Sequence, residues 1–159
     1  YEDTKFDEYA DGADRAGLQV GAYFFSQAIS VAEAEEEAYF VLDKLRGHNI
    51  TGPVVFDWEV IGKSEARTYG IETGVLCAAA NAFCEIIEDA GYDAMIYITD
   101  YAGYVKYDLS KVMDYPLWYA RYDVSAPTFY YDFAMWQYSS KGSVDGIKGN
   151  VDMDIWFIK

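Results

Sequence analysis

The sequence reads as one α/β domain, a barrel or part of one. Apolar strand segments alternate with amphipathic helical segments through the first two thirds of the chain, the pattern of parallel strands covered by helices. Beyond that the helices thin out, and the last strands follow one another with only loops between them. Hydrophobic residues make up 52% of the 159, enough for a sizeable core and too many for a disordered tail. No internal repeat or low-complexity stretch divides the chain, so residues 1–159 are taken as a single domain.

The first helix is expected from about Asp3 to Ala16, where Phe6, Tyr9, Ala10, Ala13 and Ala16 keep helical spacing and Gly17 ends the run. Leu18 to Phe25 (LQVGAYFF) reads as a buried strand. Ser30 and Glu33 have capping-box spacing, in which each side chain satisfies a free amide at the helix start. Ala34, Ala38, Val41, Leu42 and Leu45 follow on one face, while Glu35, Glu36 and Glu37 suit the positive end of the helix dipole. After Gly52-Pro53 comes a short strand, Val54 to Glu59, that ends in acid. A helix from about Tyr69 to Ala90 carries Val75, Ala79, Ala82, Phe83, Ile86 and Ile87, capped by Gly91. Ala94 to Thr99 is the third strand, and Tyr101 to Met113 a short helix-like piece. Strands at Leu117 to Arg121, Phe133 to Ser139 and Val151 to Phe157 complete the chain, the last two joined by a loop from Ser140 to Asn150.

Twelve basic against 27 acidic side chains give a net charge of -15. Such a field repels phosphate backbones and argues against nucleic acid as a partner. The apolar runs are too short to insert across a bilayer. Cys77 and Cys84 fall on one helix with Cα atoms about 10.5 Å apart, too far for a disulfide, and read as small buried apolar residues. His48 stands alone beside a helix end, and neither a CxxC pair nor an HExxH motif occurs. No metal site and no cofactor are expected.

The chemistry concentrates in PVVFDWE. Side chains alternate along a strand, so Val55, Asp57 and Glu59 share one face and Val54, Phe56 and Trp58 the other. Asp57 and Glu59 then have Cα atoms roughly 6.5–7 Å apart, at the C-terminal end of a parallel strand, where α/β barrels carry their chemistry. Two close carboxylates in a partly desolvated cleft split their pKa values, which supplies the protonated acid and the charged partner that glycoside hydrolysis requires. An Asp-x-Glu is common in acidic proteins; its place after a buried apolar run is what gives it weight, because inward charges there cost stability. Aromatic residues amount to 18% of the chain, and most of these rings are expected to be core. Those near strand C-termini (Tyr23, Tyr97, Trp118, Tyr122 and Trp136) suit stacking and edge contacts to sugar rings.

Five segments together resemble the family-25 glycoside hydrolases, the Chalaropsis-type lysozymes. They are Ala16 to Ala38, Pro53 to Glu59, Ala94 to Thr99, Pro116 to Asp123 and Met135 to Phe157, in register over nearly the whole chain. The resemblance implies an irregular TIM-like β/α barrel that cleaves the β-1,4 bond between N-acetylmuramic acid and N-acetylglucosamine in peptidoglycan. It implies Glu59 as proton donor, Asp57 as partner carboxylate and Asp152 as a further acid from the last strand. Tyr23, Trp118, Tyr122 and Gln137 fall in segments that form the family's cleft walls. The mechanism expected is substrate-assisted: Asp57 orients or stabilises the substrate's 2-acetamido group as it attacks the anomeric carbon, with direct attack by Asp57 or a water-mediated inverting route as alternatives.

The sequence departs from the family at two places. Asp154 stands where members usually carry Asn, and the family's opening strand, which bears another active-site Asp, has no counterpart. The expectation is therefore a barrel incomplete at its N-terminus, with open edges and little lytic activity alone. A secreted or phage-encoded protein acting at the cell wall, with a wall-binding module elsewhere in its parent, completes that reading. Two other readings stay open: a barrel that binds glycan without cutting it, and a barrel glycosidase acting on chitin-like glycans.

Overall fold

A computed structural model describes residues 2–157. The helices are α1 (Phe6–Arg15), α2 (Val31–Leu45) and α3 (Thr73–Asp89). The strands are β1 (Ala22–Phe25), β2 (Val54–Asp57), β3 (Ala94–Thr99), β4 (Leu117–Ala120), β5 (Met135–Gly142) and β6 (Val151–Trp156). They form one sheet in sequence order, parallel from β1 to β5, with β6 antiparallel to β5. The sheet curls into a half-barrel. This is consistent with the incomplete barrel expected: among the described residues the sheet does not close, and the outer edges of β1 and β6 have no strand beside them.

Element boundaries shift where backbone geometry overrides hydrophobicity. Pairing in β1 begins at Ala22 rather than Leu18, since the chain first passes close to the turn before β2: a Cβ on Gly21 would lie 2.6 Å from the Pro53 carbonyl oxygen. Helix α3 starts at Thr73 rather than Tyr69, because Gly70 turns the chain at a φ of 75°. The piece expected from Tyr101 to Met113 resolves into a π-helical turn (Ala102–Lys106) and a 3-10 turn (Leu109–Lys111). At the start of α2 the Ser30 hydroxyl accepts from the Glu33 amide at 3.3 Å, and the Glu33 carboxylate reaches back to the Ile29 amide at 2.9 Å.

The two faces of the sheet differ. Val54, Phe56 and Trp58 point outward into the main core with Leu76, Phe83 and Ile87 of α3 and with Ala34, Ala38 and Leu45 of α2. Phe83 stands 5.3 Å from Phe56 and 6.5 Å from Phe24 between ring centres, and each such buried ring contributes about 1.5–3 kcal/mol. Both cysteines are buried and unpaired there. The concave face carries a smaller cluster of Val55, Met95, Tyr97 and Ala120, flanked by Trp118 and Met135. Helix α1 buries only Ala10 and is held by side chains instead. The ring of His48 lies between Asp11 (2.8 Å) and Asp7 (3.1 Å), edge-on to Phe6, and these carboxylates raise its pKa. Among the described residues no helix is long and apolar enough to cross a membrane.

Candidate active site

Strand β2 sets the site. Phe56 and Trp58 are pulled outward by the helices, so alternation turns Asp57 and Glu59 together onto the concave face. Regular pairing stops at Asp57, and Glu59 extends just beyond the strand end. The backbone there is tied down from both sides. The Ser26 amide donates to the Asp57 carbonyl at 2.7 Å, and the Ser26 hydroxyl donates to Glu37 of α2 at 2.6 Å. Glu37 is thus an anchor rather than one more solvated acid of its run, and burial raises its pKa.

A cavity of about 290 Å3 opens over these carboxyls. Its walls are Tyr23, Phe25, Asp57, Glu59, Tyr97, Trp118, Tyr122, Gln137 and Asp152. A second hollow of about 400 Å3, nearer the strand starts, shares Tyr23 and Trp118 with it, so the two form one groove along the concave face. Every residue singled out from the sequence reaches this cavity except Trp136. That ring is a neighbour of Gln137 along β5 and therefore faces the other way. It is buried in the main core, packs on Tyr138 and donates its indole N–H to the Arg121 carbonyl at 2.9 Å. Its assignment to substrate binding is corrected: proximity to a strand end does not decide the face, and strand alternation does.

One wall residue, Phe25, was missed, and one acid noted from the sequence, Asp154, gains a partner. Phe25 is two residues beyond Tyr23 and in register with Asp57, a position that the two-residue repeat could have supplied. Asp154, two beyond Asp152, accepts the Trp118 indole N–H at 2.7 Å and so fixes one wall of the groove; Trp118 in turn stands edge-on to Tyr97 at 5.0 Å.

Electrostatics follow from burial. Asp57 is 7% exposed, its Oδ1 is buried without a hydrogen-bond partner, and its pKa is pushed up to about 7, first by desolvation and then by the charge of Glu59. Glu59 is raised by desolvation and by Asp152. Asp154 is raised by burial, against the opposing pull of the Trp118 hydrogen bond. The hydroxyls of Tyr97 (3.0 Å) and Tyr122 both donate to Gln137 Oε1. Carboxyls with raised proton affinity, in an aromatic-walled groove, are equipped for proton transfer to a bound polar substrate. Among the described residues no group of His, Cys, Asp or Glu is arranged to hold a metal ion.

The family model described as glycosyl hydrolases family 25 matches residues 1–147. The autolytic lysozyme of Clostridium acetobutylicum is 31% identical over 155 residues, covering 97% of this chain and 44% of that protein. Lysozyme M1 of Streptomyces globisporus is 31% identical over 163 residues, 96% of this chain and 54% of that one. The chain thus spans about half the length of the curated relatives it matches. The crystal structure of the bacterial lysozyme from Streptomyces coelicolor superposes with a TM-score of 0.79 at 26% identity, over 98% of this chain and 75% of that one.

Proposed function

Since the chain belongs to glycosyl hydrolases family 25, we propose that its concave groove cleaves the glycan strand of peptidoglycan between N-acetylmuramic acid and N-acetylglucosamine. The observation that carries this reading is the pair of desolvated carboxyls, Asp57 and Glu59, opening into one aromatic-walled cavity at the end of β2. Glu59 donates its proton to the glycosidic oxygen as the bond to the anomeric carbon breaks. The carbonyl oxygen of the substrate's own 2-acetamido group forms the new bond to that carbon. Asp57 accepts the acetamido N–H, a role suited to an acceptor oxygen that no protein group satisfies. The Glu59 carboxylate then takes a proton from the water that opens the ring intermediate. Asp152 raises the proton affinity of Glu59, while Tyr23, Phe25, Trp118 and Tyr122 offer ring faces and edges to the sugars.

Release of reducing ends from purified peptidoglycan tests the assignment. Glu59→Gln is expected to lower the rate about 10²–10⁴-fold. Asp57→Asn should also be strongly impaired. Lysis by the glutamine variant near the parental rate removes Glu59 from its role, and equal hydrolysis of chitin would move the substrate to another glycan.

Residues 1–159 are proposed to serve as one catalytic domain acting on wall material outside the cytoplasm, in a secreted or phage-delivered protein. Strand pairing along the open edges of β1 and β6 would deepen the groove and raise activity. Extending the chain at its N-terminus with the strands that the family carries there, and finding no gain in lysis, would count against this.

A further inference from the structure

Gln137 is a buried amide of the cavity wall whose hydrogen bonds are met at one end only. It is 3% exposed, and its Oε1 receives the hydroxyl protons of both Tyr97 and Tyr122. Its Nε2 lines the cavity and meets no acceptor among the described residues. An amide held at its oxygen by two donors from two different segments cannot easily turn, so its N–H groups stay directed at whatever fills the cavity.

The remaining polar wall is dominated by acceptors. In their charged form Asp57, Glu59 and Asp152 accept from sugar hydroxyls and N–H groups and do not serve an oxygen that only accepts, and the Glu59 proton is committed to the glycosidic oxygen. The hydroxyl protons of Tyr97 and Tyr122 are spent on Gln137, and Tyr23 sits at the exposed rim, 65% accessible. A buried carbonyl oxygen of the substrate therefore has one deep neutral donor to meet. We propose that Gln137 is the specificity-determining residue that reads an N-acetyl carbonyl, with Tyr97 and Tyr122 as the positioning residues that aim it.

This rests on the reading of the groove as a glycan site and deepens it. Asp57 takes the N–H end of the acetamido group and Gln137 the C=O end. A carbonyl oxygen has two lone pairs, so one accepts from Gln137 while the other faces the anomeric carbon. A sugar with a hydroxyl in place of the acetamido leaves the Gln137 N–H groups unpaired, and a site built around a buried donor discriminates against such an analogue.

The experiment uses the chain with Glu59→Gln, so that ligands bind without being cut. Two probes are titrated: a soluble tetrasaccharide of alternating N-acetylglucosamine and N-acetylmuramic acid, and cellotetraose, which has the same linkage and no acetamido group. Gln137→Met is expected to weaken the tetrasaccharide about 10–100-fold and cellotetraose less than about 3-fold. Tyr97→Phe with Tyr122→Phe, which leaves Gln137 in place but unaimed, should weaken the tetrasaccharide by a smaller factor. A direct readout needs no change at Gln137. The chain has three glutamines of its own, Gln19, Gln27 and Gln137, so side-chain ¹⁵NH₂ signals in glutamine-labelled protein are few enough to assign. The Gln137 pair should shift with the tetrasaccharide and not with cellotetraose. Equal weakening of both ligands by Gln137→Met, or an unmoved Gln137 signal on a bound tetrasaccharide, overturns the inference alone. Failure of the Gln137 parent to bind either glycan overturns the glycan-site reading, and the inference with it.

Discussion

The two faces of one sheet obey opposite rules. On the outward face Phe56, Trp58 and Tyr119 pack against helices and rings at almost zero exposure, and each residue adds to stability. One position along, on the concave face, Asp57 and Glu59 are held partly desolvated with their proton affinities raised. Adjacent residues therefore serve different ends: Trp136 fastens β5 to the core while Gln137 faces the cavity. The lesson is that the proposed chemistry falls on residues that make the fold weaker, and the helix-covered face carries the compensation.

Substitutions can break that division or sharpen it. The largest stability effect is expected on the outer face. Phe83→Ala removes a fully buried ring between Phe24 and Phe56 and should cost about 3–5 kcal/mol in denaturant unfolding. Lytic rate per folded molecule should be unchanged; a rate that falls in proportion to stability would dissolve the distinction between the faces.

Asp57→Asn tests the converse. The native state holds the Asp57 proton up to about pH 7, whereas the unfolded chain releases it near pH 4. Between those values the folded form binds the extra proton, so wild-type stability falls as pH rises through this window and is flat above it. Asparagine does not ionise. The variant should match the parent below pH 4 and gain on it through pH 7, by at most about 4 kcal/mol for a shift of about three units. Melting curves at pH 4 and pH 8 measure this, and a gain that does not depend on pH would refute the buried-acid account.

Smaller changes are expected from the tryptophans. Trp118→Phe loses the Asp154 hydrogen bond and a wall of the groove, and should raise KM several-fold with little loss of stability. Trp136→Phe loses the bond to the Arg121 carbonyl and should cost about 1–2 kcal/mol with KM unchanged. Exchange of these two outcomes would mean that the faces have been assigned the wrong way round.

Much of this was legible in the residue order. The strand and helix succession, the buried free cysteines and the shared face of Asp57 and Glu59 follow from periodicities of 3.6 and 2, which are local properties of the backbone. The resemblance named the family, and the family model bears it out. Trp136 was misplaced because its nearness to a strand end was weighed and its parity within β5 was not. Phe25 was missed for a related reason, the repeat not being carried to the end of β1. Glu37 looked like helix-dipole decoration, and nothing local announces that it anchors Ser26.

Sequence was sufficient for what depends on neighbours a few positions away: which segments are strands, which side of β2 is acidic, and that the chain belongs with the family-25 hydrolases. Tertiary structure decided what depends on residues far apart in the chain. It set the proton affinity of Asp57, which comes from desolvation by packed neighbours, and the aim of the Gln137 amide, fixed by hydroxyls 40 and 15 positions away. It also gave the expected incomplete barrel its form, a curled sheet of six strands among the described residues with β1 and β6 at its edges. Periodicity governs the direction of a side chain relative to its own backbone, whereas dielectric environment and hydrogen-bond partnership are properties of the space that the folded chain encloses.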